Sequence, residues 1–282
     1  ATRSAIGISL SSADFNTIDM SGNITTAEGS GNYGINLFLS NNNKTTITGN
    51  ITTLRQNSSG LFLSSSDSNT TNVIGNITTS GDASDGIQTF NSDSNTTNIT
   101  GNITTAGLGA EAVFFNGSNR NTTTITGNIL TTGQQAPGIY LIGDNDFNTV
   151  TMQGDITTTA GSSSGISIGA GSDDNTISME GNITTSEIGS DGIEIVQSSS
   201  RNVITMTGNI VTNAIDGQST GIYIQSESDS NTINMTGNIS TAGFAGFGFG
   251  IFESDSNTTN ITGNISTTGQ SAFGIMLNAQ GI

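Results

Sequence analysis

Asn95-Thr96-Thr97-Asn98-Ile99-Thr100-Gly101-Asn102-Ile103-Thr104-Thr105 is one of ten variations on a single phrase. The opening Asn recurs as Asn16, Asn43, Asn69, Asn95, Asn121, Asn148, Asn175, Asn202, Asn231 and Asn257. Six residues on comes a Gly, at Gly22, Gly49, Gly75, Gly101, Gly127, Gly154, Gly181, Gly208, Gly237 and Gly263, with successive spacings of 26 to 29. A fixed period in this range signals a solenoid or an array of stacked units. Inside the phrase the apolar residues alternate with polar ones, as in Val150 and Met152 or Ile233 and Met235, and Ile stands at the eighth position of every copy. Period two is the mark of a strand with one buried face. The Gly between these runs provides a bend free of Cβ.

Between the phrases lies a second one, Gly-Ile-x-Leu. It opens at Gly34, Gly60, Gly86, Ala112, Gly138, Gly165, Gly192, Gly221, Gly250 and Gly274, with an earlier copy at Gly7. Ten residues separate the opening Asn from the last Thr of its phrase in every copy, whereas the other two connections vary in length. Each repeat therefore reads as three short strands with two adjustable loops. Three strands of this length cannot bury a core alone, but ten stacked coils can. At roughly 4.8 Å per coil, ten coils make a rod of about 50 Å. The expected fold is all-β: a right-handed parallel β-helix, or β-solenoid, of about ten coils of 26–29 residues. It is read as one domain spanning residues 1–282, a piece of a longer repeat protein. The hand follows from the preference of parallel crossovers.

Stacking in register places like residues above one another. The ten opening Asn residues then form a ladder of side-chain amides, since Asn carries both a donor and an acceptor. The constant last Thr (Thr105 and its equivalents) is expected to form a second ladder.

The repeated Asn-Thr-x-x-Ile-x-Gly-Asn-Ile-Thr-Thr string, with Gly-Ile-x-Leu before it as at Gly86-Ile87, resembles the three-stranded β-helix of bacterial autotransporter passenger domains. The resemblance covers essentially the whole chain. It implies a Gram-negative cell-surface or secreted protein, often an adhesin, whose partners are other copies of itself or a host or cell-surface ligand.

Charge narrows the partners further. The chain has 22 acidic and 5 basic residues, a net charge of −17, no His, no Cys and no Trp. So few cations cannot replace phosphate counterions, which excludes nucleic acid, and an anionic membrane surface is excluded on the same ground. No apolar run is long enough to insert into a membrane as a helix. The five basic residues (Arg3, Lys44, Arg55, Arg120, Arg201) are isolated from one another, and no catalytic or cofactor-binding set is expected.

Three surface features remain. An Asp often stands two residues before the ladder Asn. Asp67, Asp93, Asp146, Asp173, Asp229 and Asp255 are candidate calcium ligands, against the simpler reading that each caps its own turn through backbone N–H groups. Outward Thr residues such as Thr122, Thr124 and Thr126 form a grid like that of ice-binding solenoids, interrupted by Asp19, Lys44, Asn72, Asn98, Glu180 and Val203. Finally, Phe62, Phe114, Tyr140, Tyr223 and Phe252 are expected on the outer face of the Gly-Ile-x-Leu strands, as a contact stripe for another shaft or a ligand. The expected function is a structural and adhesive shaft able to form filaments. The rival readings are an ice-binding surface and a carbohydrate-active β-helix enzyme.

Overall fold

The computed structural model describes residues 5–27, 29–214 and 217–278. The strands of each repeat stack on their equivalents one repeat on, building three parallel sheets around one axis. Sheet A has 11 strands, from Ile8–Ser11 to Phe273–Asn278, and holds the Gly-Ile-x-Leu phrase. Sheet B has 10 strands, from Thr17–Ser21 to Thr258–Thr262. Sheet C, also of 10, runs from Ile24–Thr26 to Ile265–Thr267. Pairing is in register throughout: Ile99 lies against Val73 and Ile125, and Ile103 against Ile77 and Ile129. The protein is a parallel β-solenoid of about ten coils.

The alternating residues converge on a continuous apolar column. Sheet A contributes pairs such as Ile35/Leu37 and Ile139/Leu141, sheet B contributes Ile47, Ile99, Met152 and Met206, and sheet C contributes the invariant Ile from Ile51 to Ile239, all with 1% exposure or less. Sheet B departs from its alternation in the second to fifth coils, and again at Thr259 in the last. In the second to fifth, Thr45, Thr71, Thr97 and Thr123 take the inner position that Val150, Ile177 and Ile204 fill later. They stay buried because Thr is nearly isosteric with Val and retains β preference. The hydroxyls of Thr45 and Thr71 nevertheless have no hydrogen-bond partner.

The bend between sheets B and C depends on glycine. Gly101 has φ +147°, and a Cβ there would stand 2.2 Å from the carbonyl oxygen of Gly75 on the previous coil. Other corners hold ordinary residues in the left-handed region. Ser68, Ser94, Arg120, Phe147, Asp174 and Arg201, each just before a ladder Asn, have φ between 56° and 59°.

In one coil the register differs from the expected one. Phe249, not Ile251, lies against Ile222, and Gly250 lies against Tyr223, so the phrase opens at Gly248 rather than Gly250. The loop lengths carry the reason. Counting from Gly248 restores the seven-residue and nine-residue connections that most coils share. The doubled Gly-Phe-Gly hides this in the sequence.

Gly101→Ala is expected to destabilise by about 3 kcal/mol or more, because backbone of two coils must separate. Ser94→Gly, at a left-handed corner, is expected to stay within about 1 kcal/mol of the parent. Urea unfolding of the two variants checks both; similar losses would contradict the assignment of corner conformations.

Candidate functional site

The corners determine what each face can offer, because every corner takes backbone N–H groups out of the sheets. At the corner between sheets A and B the ladder Asn answers this. Asn121 Oδ1 accepts the Asn95 N–H at 2.9 Å, while Asn121 Nδ2 donates to the Ser92 carbonyl at 2.9 Å and to Asn148 Oδ1 at 3.1 Å. The backbone contact repeats from Asn16, whose N–H donates to Asn43, through Asn69, Asn148, Asn175 and Asn202, to Asn231, whose N–H donates to Asn257. A serine row that the sequence reading missed runs beside it, in which Ser40 and Ser66 N–H groups donate to Ser66 and Ser92 Oγ. Replacing Asn121 by Ala removes all three contacts and strands buried groups, which is expected to cost about 2–4 kcal/mol; a urea midpoint equal to the parent's would contradict this.

The last Thr of each phrase does not pair with its equivalents as expected. Thr79 Oγ1 donates to the Ser84 carbonyl inside its own coil, and Thr158 and Thr185 do the same to Ser163 and Ser190. In these coils the hydroxyl closes the nearest corner through a carbonyl five residues on, whereas the hydroxyls of Thr105, Thr131, Thr212 and Thr241 are buried without a hydrogen-bond partner.

The Asp row also turns out to link coils. Asp67 Oδ1 accepts the Asp93 N–H at 2.8 Å, Asp93 accepts from Asn119, Asp146 from Asp173, Asp173 from Ser200 and Asp229 from Asp255. The N–H groups belong to the following coil rather than to the Asp's own turn. One oxygen of each of these carboxylates is thus occupied by backbone. No group of three or more acidic residues is arranged to hold a metal ion among the described residues. The basic residues stay apart. Arg201 grips Asp173 and Asp174 at 3.0 and 2.7 Å, Arg120 lies 5.6 Å over the Phe147 ring, and Arg55 Nε donates to the Ala27 carbonyl. Arg3 lies outside the described residues. On sheet B the register aligns Thr96, Thr122 and Thr149 in one column, broken at Lys44 and Val203, and places Asn72 and Asn98 beside Thr124 in the next.

The outer face of sheet A holds the most varied chemistry. Phe62, Phe114, Tyr140 and Tyr223 lie there half-buried, and their rings pair with neighbours on adjacent coils. Phe114 stacks on Tyr140 with centroids 5.7 Å apart, and Phe62 stacks at 4.4 Å on Tyr33, which precedes the Gly of its coil. Phe252 is a correction. The shifted register puts its backbone beside Gln225, and the side chain is 1% exposed. Its ring folds back over Gly250, where no side chain competes, and reaches Tyr223 at 5.6 Å and Phe247 at 5.4 Å.

Four acids share this face: Glu194, an outward position that interrupts the aromatic stripe in the sequence, and three that the sequence reading missed. Asp85, Glu111 and Asp191 each precede the first residue of the Gly-Ile-x-Leu phrase, and Glu194 stands two residues beyond it. Their repeat position was the available signal: Asp85 and Glu111 are 26 residues apart, one coil. Asp85 and Glu111 are 2% and 7% exposed. Burial and the hydrogen bond to the Glu111 carboxyl hold Asp85 well above the ordinary carboxylate range. Burial and the neighbouring Glu194 push Asp191 up to about 8, against the opposing pull of the Thr220 N–H. Burial raises Glu194 as well, offset by hydroxyls of Ser167 and Ser164 that donate to Oε2 at 3.0 and 3.3 Å. Two recesses open between these side chains and the adjacent corner. One of about 590 Å³ is lined by Glu111, Tyr140, Ser164, Ser167 and Glu194, and one of about 270 Å³ by Tyr33, Phe62, Asp85, Gln88 and Glu111. Together they form a groove parallel to the axis.

Neither a family model, nor a curated protein, nor a solved structure matches the chain. Its class is therefore defined by architecture: a parallel β-solenoid with an acidic, aromatic groove along one face.

A carboxyl that keeps its proton in the fold binds more protons than it does unfolded. Stability then falls as pH rises between the two pKa values and is level outside them. For Asp191 that window runs from the ordinary 3.8 to about 8. The urea midpoint is expected to be higher at pH 4.5 than at pH 8, and Asp191→Asn to flatten part of that slope. An unchanged slope in the variant would contradict the burial of this group.

Proposed function

We propose that this chain is a structural and adhesive shaft of a bacterial cell-surface or secreted protein, with other copies of itself or a host-surface ligand as its partners. The observation that carries this reading is the uninterrupted register. Strand stacks on equivalent strand from Ile8–Ser11 to Phe273–Asn278 with insertions confined to the corners, so the molecule is a rod whose side faces are rows of repeated groups. Such a rod resists bending because each coil is bonded to both neighbours over its whole perimeter. The resemblance of the repeated phrase to autotransporter passenger domains supports the same reading and the extracellular location. The broken Thr columns do not favour the ice-binding alternative.

Two measurements test it. Negative-stain electron microscopy of the purified chain is expected to show rods about 50 Å long, alone or joined end to end as concentration rises. Beads coated with the chain are expected to attach to host-cell monolayers above the level of beads coated with the urea-unfolded chain. Equal attachment of the two bead types would overturn the adhesive part of the proposal.

A further inference from the structure

The row of residues that precedes the Gly-Ile-x-Leu phrase works as one more backbone ladder. Ser59 Oγ accepts the Asp85 N–H at 3.2 Å, Asp85 Oδ1 accepts the Glu111 N–H at 2.9 Å, and Ser164 Oγ accepts the Asp191 N–H at 3.2 Å. Asp191 Oδ1 in turn accepts the Thr220 N–H. Glu111 breaks this rule. The next residue in the row is Pro137, which has no N–H to give. The Glu111 carboxylate thus sits buried with no ladder duty, and it lines both recesses of the groove. Its carboxyl, hydrogen-bonded to the Asp85 side chain, keeps acceptor capacity that a ligand in the recesses can use.

The surroundings of Glu111 tell what that ligand is. Tyr140 is covered on one face by Phe114 and is followed on the next coil by Ser167, too small to cover the other. One coil beyond, Glu194 leans back over Ser164 and Ser167. The result is a notch one coil wide, with an aromatic wall, a floor of hydroxyls and a carboxyl group on the far side. Its volume of about 590 Å³ suits a small-molecule site. Such a notch offers a ring face for C–H groups and several acceptors and donors for hydroxyls. It continues along the axis into the second recess, where Gln88 accepts from Ser59 at 3.0 Å.

We propose that this groove binds an extended, uncharged glycan chain, with one sugar ring in the notch between Tyr140 and Glu194 and its hydroxyls on Glu111, Ser167 and Glu194. The proposal rests on the adhesive reading and names the ligand class for it. Polyanionic glycans are disfavoured by the net charge of −17 on the chain. Burial, which favours the protonated carboxyl at Asp85, Asp191 and Glu194, suits a neutral ligand, because a carboxylic acid can both donate to and accept from a hydroxyl.

The test is an array of immobilised oligosaccharides that includes uncharged, amino-bearing and sulfated chains, probed with the folded 282-residue chain. Uncharged members are expected to bind. Tyr140→Ala and Ser167→Trp, which remove the wall and fill the notch, are expected to weaken that binding at least tenfold. Thr124→Ala on sheet B serves as the control and is expected to bind like the parent. Far-UV circular dichroism confirms that each variant keeps its strands. Absence of binding to any uncharged member, binding confined to amino-bearing chains, or equal binding by Ser167→Trp would each overturn the proposal. Host-cell attachment of beads carrying Ser167→Trp separates the two levels. Attachment retained without glycan binding by the parent sinks the groove and leaves the adhesive shaft standing. Glycan binding that depends on the notch, without attachment, does the reverse.

Discussion

Turning a chain three times per coil takes corner N–H groups away from the sheet ladders, and a buried donor without a partner costs about 1–3 kcal/mol. The structure meets this constraint with side chains that reach one coil along the axis. Asn Oδ1, Ser Oγ and Asp Oδ1 accept the N–H of the same corner in a neighbouring coil. The contact exists only if neighbouring coils are in register and the accepting corner residue carries a short side chain with an oxygen, as when Asp93 accepts from Asn119 and Asp173 from Ser200. Repetition of the sequence is thus a physical requirement, and the apolar column of Ile, Leu and Met follows from it, since in-register coils bring like side chains together.

The same constraint explains where the surface chemistry lies. Corner rows are occupied by ladder duty, as the Asp row shows, and are poorly placed to do anything else. Outward strand positions carry no such duty and vary from coil to coil. On sheet A they read Phe62, Gln88, Phe114, Tyr140, Ser167, Glu194 and Tyr223 in succession, while the inward residues change little. Pro137 is the one proline of the chain, and it stands where it releases Glu111 from the ladder.

Much of this was legible in the repeat. The period, the three strands, the Gly bend and the inward Ile positions follow from residues that recur in every copy. What escaped was carried by residues that recur only in part. Gly248 and Gly250 offer two registers, and only loop length chooses between them. Thr79 and its equivalents recur perfectly, yet their hydroxyls build no ladder: those of Thr79, Thr158 and Thr185 bond a carbonyl of their own coil, and those of Thr105, Thr131, Thr212 and Thr241 bond nothing. Asp85 and Glu111 meet only when coils 26 residues apart are laid on one another, and Asp191 and Glu194 share one coil three coils further along. The raised proton affinity of Asp85, Asp191 and Glu194 comes first from burial, which no local pattern of residues announces.

Register is the premise beneath all of it, and the lack of cysteine in the chain allows a direct test. Thr124 and Thr151 are partners in neighbouring strands of sheet B, whereas Gln153 is two residues further along. Cysteines at 124 and 151 should then have Cα atoms about 4.8 Å apart, within disulfide reach, and cysteines at 124 and 153 about 8 Å apart, beyond it. Rapid oxidative closure of the first pair and none of the second, measured by thiol titration under mild oxidation, is the predicted result. Closure of the second pair as readily as the first would contradict the stacking on which the account rests.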